Sequence, residues 1–196
     1  MYKVYGAVAS RAFRVIWLLE EIGEPYELIK VGPRDPAVAA LNASGKIPVL
    51  TDGDAVITDS TAIMTYLADK HGALTHPAGT VARGQQDALT HAALDEFDAL
   101  LWTSARFGRL LPEEYRTDAM EPGLKWEFAR NLDRLADRMT GPFLQGDQIT
   151  IADLILTHCL NWASAVGYPV QNDKIDAYLK MMRGREAFRA ARSKHA

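Results

Sequence analysis

Cysteine is nearly absent from this chain: among 196 residues there is one, Cys159, set among apolar neighbours in a predicted helix. A disulfide framework is therefore excluded, and a reducing, cytoplasmic setting is the expectation. Excess positive charge is missing as well. With 22 Lys and Arg against 25 Asp and Glu the net charge is −3, which argues against nucleic acid or another polyanion as a partner. No apolar run approaches the length of a membrane span, and the first residues carry no basic-then-apolar leader. The histidines His71, His76, His91, His158 and His195 have no metal-ligand spacing with one another or with Cys159, so no metal is expected. Gly-x-Gly-x-x-Gly, the P-loop sequence and the Gly-x-Ser-x-Gly elbow are all missing, and there is neither an internal repeat nor a low-complexity segment.

What is present changes character near residue 75. Before it, strand and helix patterns alternate: Lys3-Val4-Tyr5 as a strand, Ser10 to Ile22 as a helix ended by Gly23, and Tyr26 to Val31 as a strand. A short helix over Pro36 to Leu41 follows, then a hairpin of Val49-Leu50-Thr51 and Ala55-Val56-Ile57 across Asp52-Gly53-Asp54, then a helix from Asp59 to His71. This βαβ–α–ββα order predicts a mixed sheet with helices on its faces, because a strand, a helix and a parallel strand make a crossover unit. The expected domains are 1–74, a linker over 75–82 around Thr75-His76-Pro77-Ala78-Gly79-Thr80, and 83–196. In the second, strand signals vanish. Arg83 to Phe107 carries Leu89, Ala93, Phe97, Leu100 and Leu101 on one side, and Phe128, Leu132, Leu135 and Met139 form a stripe on the next helix. Thr150-Ile151-Ala152-Asp153 has the form of a capping box, and short helices over Asp176 to Met182 and Arg185 to Arg192 complete an all-helical bundle. Trp126 and Trp162 are assigned to the core; Glu20-Glu21, Asp95-Glu96 and Glu113-Glu114 are assigned to solvated helix faces.

Chemistry concentrates in Ser44-Gly45-Lys46-Ile47-Pro48-Val49-Leu50 and Thr58-Asp59-Ser60. Proline lacks an amide hydrogen and pushes its predecessor into extended geometry, so Ile47 is expected to present its N–H and C=O at a strand edge. A short peptide can satisfy both groups as an added strand. A cis Ile47-Pro48 bond, the minority form, would hold that edge open; the sequence does not fix the isomer. Asp59 or Ser60 caps the following helix, whose first amides form a small anion site.

A half with Gly-Lys-Ile-Pro-Val-Leu and Asp-Ser motifs, joined to a helical half with Gly-Asp-Gln-Ile-Thr-Ile-Ala-Asp, resembles the cytosolic glutathione transferases over essentially the whole chain. Ser10 to Gly23, with Pro25-Tyr26-Glu27 after it, is similar to the first helix of many bacterial members. The resemblance implies a thioredoxin-like N-terminal domain (βαβ-α-ββα), an all-helical C-terminal domain and a homodimer. It also implies glutathione as co-substrate, a detoxifying transfer to a small hydrophobic electrophile, and no metal. Ile47, followed by Pro48, would pair with the cysteinyl part of the tripeptide, Asp59 and Ser60 would hold its γ-glutamyl end, and Lys46 would face the glycyl carboxylate. Ser10, Arg14 and Val15 reproduce the spacing of serine-type members, which makes Ser10 the donor to the glutathione sulfur. Tyr5 and backbone amides alone are the alternatives, and Ser10 can also be read as a plain helix cap. Trp102, Arg106, Phe107 and Tyr115 are the implied electrophile pocket. Two other functions share this fold: glutathione-dependent reduction of disulfides or peroxides, and a non-catalytic protein-interaction module.

Overall fold

The computed structural model describes residues 1–194. In chain order the elements are β1 (Tyr2–Gly6), α1 (Ala12–Ile22), β2 (Tyr26–Lys30), α2 (Pro36–Ala39), β3 (Val49–Asp52), β4 (Ala55–Thr58) and α3 (Ser60–His71). Helices α4 (Val81–Ala92), α5 (Ala99–Ala105), α6 (Glu121–Arg138), α7 (Ile151–Ala165), α8 (Asp173–Arg183) and α9 (Glu186–Ser193) follow. They fall into two compact units. The first runs over Met1–Ala78 and resumes at Met182; the second is Gly79–Met181.

The sheet of the first unit has the order β2-β1-β3-β4. β1 pairs with β2 in parallel, as the crossover through α1 requires, and with β3 antiparallel. Because Asp52 pairs with Ala55, the hairpin loop is the two residues Gly53-Asp54, one shorter than the sequence reading had it. Two-residue loops are the ones whose twist matches that of the flanking strands.

From Ala12 to Leu19 every residue of α1 is buried, because the helix is covered on more than one side. It packs on β1 and α3 and also on α9. Phe188 of α9 meets Trp17 and Phe13 edge-on, with ring centroids 4.9 and 5.3 Å apart, an arrangement aromatic quadrupoles favour. Arg185 then closes a two-pronged ion pair on Glu21, with Nε–Oε1 2.6 Å and Nη2–Oε2 2.7 Å, and Glu21 also accepts from the Trp17 indole at 2.9 Å.

Two expectations are corrected here. Glu20 and Glu21 are not a solvated face: Glu21 serves Trp17 and Arg185, and Glu20 accepts from the Tyr26 hydroxyl at 2.6 Å. Burial, with the Glu20 carboxylate alongside, holds the Tyr26 phenol well above its ordinary pKa. The last helix, assigned from sequence to the helical half, belongs to the first unit. Periodicity shows that an eight-residue helix has an apolar face without showing what covers it.

The described residues of the second unit form helices joined by loops, with one isolated bridge, Phe143 with Gly146. Phe128, Leu132, Leu135 and Met139 are buried as their spacing predicts, as are Ala93, Phe97, Leu100 and Leu101. The chain widens into a π-helical turn at Ala93–Asp98 between α4 and α5. The rings of Phe97 and Phe128 meet edge-on at 5.1 Å, and Phe128 meets Tyr168 at 5.3 Å. Trp126 is a further correction: it is 65% exposed, since it lies off the α6 stripe, with the Arg130 guanidinium 5.5 Å from its ring centroid. Thr150 and Asp153 form the capping box that opens α7. The architecture is a thioredoxin-like βαβ–α–ββα unit followed by an all-helical one.

Candidate functional site

The sheet register decides which loops meet. Tyr5 lies opposite Val49, and Val49 lies opposite Thr58. The C-terminal end of β1, the N-terminal end of β3 and the C-terminal end of β4 therefore coincide. At that end sit Tyr5, the loop carrying Ser10, the Lys46-Ile47-Pro48 approach to β3, and Asp59-Ser60. Six residues distant in sequence, Tyr5, Ser10, Ile47, Pro48, Asp59 and Ser60, thus gather at one place in the first unit, with Lys46 beside them.

Gly6 makes the closeness possible. A Cβ there would lie 2.5 Å from the Ala12 Cβ and 3.8 Å from that of Ile47, so any side chain forces the start of α1 away from the strand. Gly6→Ala is expected to destabilise the first unit by about 1–3 kcal/mol. Urea unfolding checks this; a fully stable variant would show that α1 can shift freely.

The Ile47-Pro48 bond is cis. Its approach loop is tied internally: Asn42 Nδ2 donates to the Lys46 carbonyl at 2.9 Å, Lys46 N to Ser44 Oγ at 3.3 Å, and Arg34 N to the Gly45 carbonyl at 2.8 Å. Gly45 has φ 64° and a Cβ there would lie 3.3 Å from the Arg34 Cα, so glycine is needed at this position. Ile47 lies two residues before β3, and its N–H and C=O bond to no described residue. Lys46 is exposed and its ammonium pairs with no described carboxylate.

Asp59 has φ 71° and ψ 127°, a conformation that costs a non-glycine residue on the order of 1–3 kcal/mol. The turn is offset by capping: Asp59 Oδ1 accepts from Thr61 N at 2.9 Å and Ala62 N at 3.1 Å. Asp59, rather than Ser60, is thus the cap of α3, which leaves Oδ2 of an exposed carboxylate for a cationic group. Ser60 is buried, and its Oγ receives the Arg14 guanidinium at 3.4 Å.

Ser10 precedes α1 by two residues. Its hydroxyl donates to the Ala7 carbonyl at 2.7 Å and accepts from Ala12 N at 3.1 Å, tying the turn that leads into α1, whose cap position is Arg11. The Ala7 carbonyl also accepts from Ser10 N at 3.0 Å, and therefore keeps a partner if the hydroxyl turns elsewhere. Tyr5 is half-buried within the β1 ladder.

Trp102, Arg106, Phe107 and Tyr115 belong to the second unit. Trp102 and Phe107 are half-buried, Tyr115 is 64% exposed, and the Arg106 guanidinium lies 5.7 Å from the Phe107 ring centroid. None of the four lines the open surface pocket of about 630 Å³ that Lys125, Trp126, Tyr168 and Pro169 help to line. The sequence reading treated Arg14 only as part of a spacing. Its contact with Ser60 could have been suspected from a guanidinium amid the otherwise apolar run Ala12 to Leu19.

Known proteins are similar to this chain in sequence and share its fold. Residues 10–70 match the family described as glutathione S-transferase, N-terminal domain. The chain is similar to human glutathione S-transferase theta-2B, with 32% identity over 94% of this chain and 80% of that protein. It is also similar to the solved structure of a glutathione transferase from Methylococcus capsulatus strain Bath, with 26% identity, TM-score 0.85, and coverage of 100% of this chain and 98% of that one. A glutathione transferase homologue from Sulfitobacter, solved with bound glutathione, shares the fold at 22% identity and TM-score 0.83, covering 99% and 98% of the two chains.

Proposed function

Because the chain belongs to the glutathione S-transferase family and is an enzyme of that class, we propose that it binds glutathione at the sheet end of the first unit, ionises its thiol and adds the thiolate to a hydrophobic electrophile. The observation that carries this reading is the convergence of Ser10, Ile47-Pro48 and Asp59-Ser60 at the ends of β1, β3 and β4. Ile47 offers its two unengaged backbone groups to the cysteinyl residue in the manner of an added strand. The free Asp59 oxygen accepts from the ligand ammonium, Ser60 donates to the α-carboxylate, and Lys46 pairs with the glycyl carboxylate.

In the chemical step the thiol proton leaves to solvent and the Ser10 hydroxyl turns from the Ala7 carbonyl to donate to the sulfur anion. The carbonyl retains the Ser10 amide, so the exchange strands no backbone group. Carbon–sulfur bond formation then expels the leaving group of the electrophile, or adds across its double bond with the resulting carbanion taking a proton from solvent. Ionisation alone accelerates this a few-fold; holding the electrophile beside the sulfur supplies the larger factor, and Trp102, Arg106, Phe107 and Tyr115 are the residues proposed for that. The active species is a homodimer, to be checked by sedimentation as a mass twice the 21.7 kDa of the chain.

Turnover of an aryl halide and of a small aliphatic disulfide, compared at equal glutathione, tests the reaction class. Transfer predicts the halide to be the better substrate. A preference for the disulfide overturns transfer in favour of reduction, and failure to bind glutathione at millimolar concentration removes both.

A further inference from the structure

Arg14 is a large charged side chain with 0% exposure, and burying a guanidinium is costly unless its donors are used. Its Nη1 lies 3.4 Å from Ser60 Oγ, joining α1 to the first residue of α3. A guanidinium has donors and no acceptor, so in this contact the serine can only accept. That direction follows from the chemistry of arginine and holds although the contact is long. Ser60 is itself 3% exposed, and no described residue accepts its hydroxyl proton. The site therefore contains a buried hydroxyl with a lone pair engaged from behind and a proton that is not spent.

We infer that Arg14 is a positioning residue for the α-carboxylate of glutathione: by occupying a lone pair of Ser60 it directs the Ser60 proton toward the ligand. The inference rests on the proposed reading of Ser60 as a γ-glutamyl contact. Without Arg14 the hydroxyl is free to rotate and to spend its proton on a nearby backbone carbonyl, as Ser10 does with Ala7. The buried positive charge adds a field of the sign a carboxylate needs.

Affinities for glutathione and for γ-aminobutyryl-cysteinyl-glycine, which lacks only the α-carboxylate, separate positioning from bulk structure. Titration calorimetry on wild type, Ser60→Ala, Arg14→Met and the double variant gives the preference for the carboxylate in each. Ser60→Ala is expected to lower it about tenfold, as for loss of a hydrogen bond to a charged group. Arg14→Met should lower it by a similar factor, and the double variant should be no worse than either single one, because the two act as a unit.

Equal weakening of both ligands by Arg14→Met means a structural role only and overturns the inference. If Ser60→Ala lowers the preference and Arg14→Met leaves it intact, positioning fails and the site reading stands. An unchanged preference in Ser60→Ala sinks the site reading itself. Arg14→Lys keeps the charge without the planar fork and is expected to lose at least about threefold, so it decides the matter if Arg14→Met does not fold; an unchanged preference overturns the inference. Should neither variant fold, judged by near-ultraviolet circular dichroism, Arg14 is assigned to the fold alone and the inference is lost.

Discussion

Ser10→Ala is expected to raise the pKa of the bound glutathione thiol by about two units, from roughly 6.5 to near the free-thiol value of ~8.5. The hydroxyl is expected to supply nearly all of this shift, the helix end beside it only a small remainder. At pH 7 the thiolate fraction then falls from roughly 75% to about 3%. The less acidic thiol is the better nucleophile, however, and with a Brønsted slope of ~0.4–0.5 it regains roughly six- to tenfold of that roughly 25-fold loss. The net deficit at pH 7 is only a few-fold. At pH 6 it widens to about tenfold, and between about pH 7.5 and 8 the two rate profiles cross, the variant being faster above. Ultraviolet titration of the thiolate, paired with a pH–rate profile, checks both parts. An unshifted thiol in the wild type removes the mechanism; a shifted thiol that ignores the substitution transfers the role to Tyr5 or to backbone amides.

The largest stability effect is expected in the second unit, at Asp153. This carboxylate is buried at the start of α7, and each of its oxygens is used twice. Oδ1 accepts from Leu144 N at 2.9 Å and from the Tyr178 hydroxyl at 3.1 Å; Oδ2 accepts from Thr150 N at 2.9 Å and Thr150 Oγ1 at 3.2 Å. Burial pushes the Asp153 carboxyl up and these four donors pull it back. Asp153→Ala strands two backbone amides and removes half of the capping box, a loss of about 3–5 kcal/mol. Asp153→Asn is nearly the same shape, yet both oxygens face N–H donors, so either orientation of the new amide sets NH₂ against N–H. It is expected to cost about 2–3 kcal/mol, against about 1 kcal/mol for Thr150→Ala. Urea unfolding gives the order; an asparagine variant as stable as wild type contradicts the double use of the carboxylate.

The elements legible from sequence were those whose signal is local. Thr150 and Asp153 stand three residues apart and bond to each other, and the α6 stripe is set by its own period, so both were readable. The Ile47-Pro48 and Asp59-Ser60 motifs are also local, and the strand order then brought them together. What was not legible depends on partners far along the chain. Glu21 reads as a surface acid until Arg185 arrives from 164 residues away; Trp126, by contrast, stands off the period of the α6 stripe, and only its aromatic character suggested core. Arg14 and Ser60 are 46 residues apart, and nothing in the intervening sequence announces that one restrains the other.

The packing of α9 on α1 also sets an order of events during synthesis. The apolar surface of Phe13 and Trp17 is made early, and its cover, Phe188, follows more than a hundred residues after the segment ending at Ala78. At about 5–20 residues per second that is an interval of at least about 5 s, in which the whole contiguous segment Gly79–Met181 is translated. The residue that covers α1 in the first unit is thus made only after the whole of the second. A chain truncated before residue 188 is expected to leave the Phe13 and Trp17 rings uncovered and to bind a hydrophobic dye that the full chain does not.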